Sequence, residues 1–94
     1  MNKREASELL SKALGVWRDR SYAQLAALVK VEPHAARVVG RSGDSYQVEI
    51  QVIWDASPGG NVRVVGAIDD GGIRSFFPMT DGFLMAPDGA FVGE

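Results

Sequence analysis

The sequence predicts an α+β domain: two N-terminal helices packed on one face of a four- to five-stranded antiparallel meander sheet. Three observations predict it. Residues 44–55, DSYQVEIQVIWD, set Tyr46, Val48, Ile50, Val52 and Trp54 on one face of a long strand. Ser45, Gln47, Glu49, Gln51 and the apolar exception Ile53 fall on the other. Ahead of this stretch, apolar residues recur at three- and four-residue steps, the helical period. Behind it, turns rich in glycine, proline and aspartate separate short apolar runs, as in successive hairpins.

Residues 3–17 form the first expected helix. Ala6, Leu9, Leu10, Ala13, Leu14 and Trp17 make one apolar stripe. Gly15 costs about 1 kcal/mol against alanine inside a helix, so it marks a weak last turn. Arg18-Asp19-Arg20 is a polar break. Ser21 then opens a second helix over residues 21–30, with Gln24 in the capping-box position. Tyr22, Leu25, Leu28 and Val29 give its stripe. Pro33 bars continuation and pushes Glu32 towards extended geometry.

The strands follow. His34 to Arg41 is the first, centred on Val38 and Val39. Ser42-Gly43-Asp44 is a hairpin turn that needs glycine's positive φ. The long strand comes next, and Ser57-Pro58-Gly59-Gly60-Asn61 is a loop. Val62 to Asp69 is a third strand. Asp70-Gly71 suits a type I′ turn, which predicts a fourth strand over Gly72 to Phe77. Pro78 interrupts the pattern. Phe83, Leu84 and Met85, after Thr80-Asp81-Gly82, resume that strand or start another. Pro87-Asp88-Gly89 is a tight turn, and Phe91 and Val92 suit a last short strand.

This order resembles the cystatin-like superfold, and within it the NTF2-like and SnoaL-like families in shortened form. Residues 17–29, WRDRSYAQLAALV, resemble the entry to the family's second helix. Thr80-Asp81-Gly82-Phe83-Leu84-Met85 with Pro87-Asp88-Gly89 resembles its closing strands. The resemblance implies a pocket between helices and sheet, carboxylates such as Asp55 and Asp81 as acid/base groups, and homodimers formed through the sheets. Between Val29 and His34 the chain lacks the strand and helix that family members insert to wall the pocket. Cystatins inhibit proteases through a Gln-x-Val-x-Gly hairpin. Neither Gln47 nor Gln51 begins such a run, so inhibition does not carry over.

Composition narrows the chemistry. A chain of 94 residues suits a single domain, 1–94. The absence of cysteine excludes disulfides, zinc-thiolate sites and thiol catalysis, and fits a reducing compartment. The N-terminus, MNKREASELL, does not read as a secretory signal, and no apolar run approaches a membrane span. The expected setting is cytoplasmic, away from membrane. A net charge of -2 gives no drive towards nucleic acid. The charge is uneven, with eight basic and four acidic side chains in residues 1–41 against two and eight in residues 42–94.

No catalytic group, metal or cofactor is expected. His34 is the sole histidine and follows a proline at a strand start, where solvent exposure suits it better than a catalytic relay. Asp69-Asp70-Gly71-Gly72 reads as a turn, because calcium needs six or more oxygens from a longer loop. Pro58-Gly59-Gly60-Asn61 lacks the lysine and following helix of a phosphate loop. A general base needs desolvation or a charged neighbour, whereas Asp55 at a strand end reads as solvated and Asp81 in a Thr-Asp-Gly turn reads as bonded to backbone amides.

Three functional readings follow. The first is a small non-catalytic binding or assembly module. It forms a homodimer through the sheet face bearing Gln51, Ile53 and Val65, which is too apolar for water and too polar for a core. The bland alternative folds Phe83 to Val92 back over that face. The second is a minimal NTF2-like pocket protein that binds or isomerises a small apolar molecule, with Trp17, Tyr22, Tyr46 and Trp54 lining the pocket. Against it, a domain this small needs its aromatics for the core, at about 1.5–3 kcal/mol each. The third is an adaptor docking an acidic partner through a basic helical end that carries Arg18, Arg20 and Lys30.

Overall fold

A computed structural model describes residues 2–71 and 78–94. The protein is α+β, with two helices followed by an antiparallel sheet. Helix α1 spans Lys3–Arg18, and the Asn2 side chain caps it by accepting the Glu5 amide at 3.0 Å. The helix runs through Gly15, since its neighbouring turns already bury Leu14 and Trp17 against the sheet.

Helix α2 spans Tyr22–Ala27 and starts at the capping box read from the sequence. The Gln24 amide donates to Ser21 Oγ at 3.1 Å, and the Ser21 amide donates to Gln24 Oε1 at 2.9 Å. It is shorter than the expected 21–30. After Ala27 the bonding tightens from i→i−4 to i→i−3, as in Leu28 N–H to Leu25 O at 2.9 Å and Val31 N–H to Leu28 O at 3.1 Å.

The strands are β1 (His34–Val39), β2 (Ser45–Trp54), β3 (Val62–Asp69) and β4 (Met79–Met85), in the sheet order β1-β2-β3-β4. The expected strand over residues 72–77 lies outside the described residues. The first hairpin closes through Gly40 N–H to Asp44 O at 2.9 Å, with Gly43 at φ 91°.

Register divides the sheet into two faces. Towards the helices point Val38–Tyr46, Ala36–Val48–Ile68–Met79, His34–Ile50–Gly66–Asp81, Val52–Val64–Phe83 and Trp54–Val62–Met85. Tyr46, Val48, Ile50 and Val52 are buried and Trp54 half-buried, matching the alternation in the sequence. Ala6, Leu10, Leu14, Trp17 and Leu25 complete the core from the helices. Gly66 lets α1 approach closely: a Cβ there would lie 2.9 Å from Leu10 Cδ1 and 3.2 Å from Leu14 Cδ2.

The outward face carries Arg37–Gln47–Asp69, Ala35–Glu49–Ala67–Thr80, Gln51–Val65–Gly82 and Ile53–Arg63–Leu84. After β4 the chain turns at Pro87-Asp88-Gly89, where the Asp88 carboxylate accepts the Ala90 amide at 2.9 Å. Phe91 bridges to Met85, and Val92 N–H donates to Leu84 O at 3.0 Å.

Candidate functional site

The outward sheet face is built by the polar phase of β2 and its neighbours. Gln47, Glu49 and Gln51 are exposed, Ile53 is 37 % exposed, and Val65, Ala67 and Leu84 are half-buried. Glu49 stands beside Ala67, and Ile53 beside Arg63. Arg63 grips the Asp55 carboxylate at 2.7 and 3.1 Å, so one end of the face is ionic. The expected interface residues Gln51, Ile53 and Val65 thus share one outward face. Of the segment Phe83 to Val92, residues 83–85 belong to β4, and Phe91 and Val92 pair back alongside that strand, leaving Gln51 and Ile53 exposed.

What fixes that segment is a clamp at the end of α1. Arg18 donates two bonds to Glu94, at 2.7 and 2.6 Å. The same guanidinium lies 5.0 Å from the Phe83 ring centroid and 4.8 Å from that of Phe91. The two rings meet edge to face, 5.6 Å apart. The Arg18 bond holds the Glu94 carboxyl below the usual carboxylate range, while burial opposes the shift.

The four expected pocket aromatics do not meet around one cavity. Trp17 sits between the Arg20 guanidinium, 4.3 Å from its ring, and the His34 ring at 5.8 Å. It lines a cleft of ≈ 320 Å³ with Leu28, Val31, Ile50 and Val52. Tyr22 donates its hydroxyl to Gly60 O at 2.7 Å and so ties α2 to the β2–β3 loop. Tyr46 is buried, and its hydroxyl donates to Glu5 Oε1 at 2.9 Å. Trp54 is half-buried at the end of β2, against the core.

Glu5 is a junction between α1 and the first hairpin. Besides Tyr46, it accepts the Ser42 hydroxyl at 2.7 Å and the Ser42 amide at 3.1 Å. Those bonds to Ser42, with the one from Tyr46, hold its carboxyl below the usual range. Burial and the bond to Glu5 push the Tyr46 phenol up.

His34, Asp55 and Asp81 are exposed. Asp69 accepts the Gly71 amide at 2.8 Å, a turn contact; Asp81, expected in a turn, instead lies within β4 opposite Gly66 and accepts the Gly82 amide at 2.8 Å. Among the described residues no three His, Asp or Glu side chains gather to hold a metal ion. No helix of the described residues is long and apolar enough to cross a membrane.

The expected basic end is divided by the structure. Arg18 is committed to Glu94 and Arg20 lies over Trp17. A different cationic group forms where the first turns of α1 face the end of β1. Arg4, Lys12 and Arg41 line a groove of ≈ 510 Å³ there, with Glu5, Glu8 and Leu9. The sequence holds half of that signal, since residues 4, 8 and 12 repeat at helical spacing. Their meeting with Arg41 depends on tertiary structure. No family model matches the chain, and no curated protein or solved structure matches it.

Proposed function

We propose that this chain is a non-catalytic assembly module that pairs with a second copy through the outward face of its sheet. The observation that carries this reading is the contrast between the two faces. The helix side is filled by close-packed side chains. Among the described residues, the other side leaves Ile53 exposed and Val65, Ala67 and Leu84 only half-buried amid Gln47, Glu49 and Gln51. An apolar centre with a polar rim suits an interface.

The face is also self-complementary. A two-fold axis along the Gln51–Val65–Gly82 row sets Glu49 of one copy across the interface from Arg63 on the other, offset sideways by about one strand spacing, ~4.8 Å, with side chains spanning the ~10 Å between the sheets. Four strands of about eight residues give a footprint of roughly 500 Å². That lies below the ~800 Å² per partner of a standard interface, so a dimer of micromolar strength is expected. The reading takes the fold as a shortened cystatin-like plan, for which two helices followed by an antiparallel sheet is the expected order.

Sedimentation at tens of micromolar concentration tests this reading, given the modest footprint. Wild type should sediment as a dimer, and Ile53→Lys combined with Val65→Lys as a folded monomer. A monomeric wild type, or a folded double variant that stays dimeric, overturns it.

A further inference from the structure

Strand β1 is less covered than the rest of the sheet. It is an edge strand, and all its residues except Val38 are exposed. Helix α1 packs chiefly on β2, β3 and β4, and α2 on β2 and β3. An edge strand presents unpaired amides and carbonyls, which natural sheets usually cover or guard.

Helix α1 runs in the opposite direction to β1. Its start is tied to Ser42, just past the end of β1, and its Trp17 stands by His34 at the strand's start. Between these two points β1 is six residues long, roughly 20 Å. The two depressions already described lie at its ends. The end near Gly40 carries Arg4, Lys12 and Arg41. The end near His34 is more apolar, with Val31, Leu28 and Trp17. Val16, one turn beyond Lys12, is 62 % exposed, Val31 54 % and Val39 63 %.

The charges indicate what fits. Of the two carboxylates at the cationic end, Glu5 is occupied by Ser42 and Tyr46, and Glu8 lies 3.7 Å from Arg4. Among the described residues the Lys12 and Arg41 side chains form no ion pair with a carboxylate, although the Arg41 backbone bonds to Glu5. From His34 to Arg41 the chain itself carries cations and no acid. A second copy added along this edge would set basic strand against basic strand. An acidic strand is complementary.

The geometry points to the outer edge of β1 as a docking site for an extended acidic peptide, which joins the sheet beside His34–Val39. Its backbone satisfies the open edge. Its carboxylates meet Lys12 and Arg41, and its apolar residues lie towards Val31 and Trp17. This site is separate from the outward face, so it stands or falls independently of the dimer.

The probe is a fluorescein-labelled peptide of about eight residues, glutamate-rich in one half and valine-rich in the other. Anisotropy at low salt should show saturable binding, and alternate amides within His34–Val39 should gain hydrogen-exchange protection. Lys12→Glu with Arg41→Glu, both on the surface, should weaken binding by about tenfold or more with unchanged circular dichroism. The Ile53→Lys, Val65→Lys variant should bind as wild type does. A peptide with lysine for glutamate should not bind. One N-methylated at alternate residues should bind much more weakly, because it cannot pair along an edge. Equal binding of either control peptide, unchanged binding by the charge-reversed variant, or loss of binding in the outward-face variant overturns the proposal.

Discussion

Gly66→Ala should destabilise the protein, although alanine is ordinarily the better residue. Gly66 lies on the helix-facing side of β3, under α1. The added Cβ would sit 2.9 Å from Leu10 Cδ1, about 0.6 Å inside the shortest comfortable carbon–carbon separation. A second contact, 3.2 Å to Leu14 Cδ2, blocks escape in that direction. Either the leucines leave their rotamers or α1 lifts from the sheet, and overpacking of this kind costs about 1–3 kcal/mol. Restricting the unfolded chain returns about 0.4–1 kcal/mol. The net loss is about 1–2 kcal/mol, or a fall of about 4–16 °C in Tm for a domain of this size. Gly15→Ala is the control. It adds the same methyl with nothing within 4 Å, inside α1, and should stabilise by about 0.5–1 kcal/mol. Urea titration of both variants gives the comparison. A Gly66→Ala protein as stable as wild type would refute the claim that this glycine sets the approach of α1.

Two further outcomes follow from local contacts. Ser21→Ala removes the acceptor of the Gln24 amide and should cost about 1 kcal/mol, with lost hydrogen-exchange protection at Gln24; unchanged protection counts against the cap. Glu5 and Glu94 have lowered carboxyl pKa values, mainly through the bonds to Ser42 and Arg18 respectively. Their stabilisation is complete above the unfolded value near pH ~4.3 and is lost as pH falls through the lowered ones. Tyr46 is shifted up, chiefly by burial, so its contribution is complete below about pH 10 and fades above it. Tm against pH should fall on both sides, and Glu5→Gln should flatten the acid limb; an identical acid limb in that variant contradicts the assignment.

Patterns of short period were legible in the sequence. The alternation along β2 fixed both its faces, because a strand's two-residue period leaves no other way to bury Tyr46 to Val52 together. The capping box at Ser21 was legible because its partners lie three residues apart. Contacts between distant residues were not. Arg18 and Glu94 are 76 positions apart, and nothing in RDR singles out the first arginine as the one that clamps the C-terminal segment. The spread of Trp17, Tyr22, Tyr46 and Trp54 into separate roles has the same origin, since aromatic character shows in sequence and the partner of each hydroxyl does not. The groove by Arg41 combines both kinds, with the helical repeat of residues 4, 8 and 12 visible and its position beside β1 hidden.

The two borders of the sheet are unequal, and this limits how the protein can polymerise. On β4, residues Leu84 and Met85 already bond to Val92 and Phe91, and the Gly82 amide is held by its own Asp81 carboxylate. A β1 strand arriving from another molecule therefore finds that border partly occupied and guarded by charge. Head-to-tail growth, in which each copy offers its last strand to the first strand of the next, lacks a free acceptor along that stretch. Whatever occupies β1 adds one layer there, and a face-to-face pair closes on itself. Among the described residues, the C-terminal segment thereby leaves less of the β4 border than of the β1 border open to another strand.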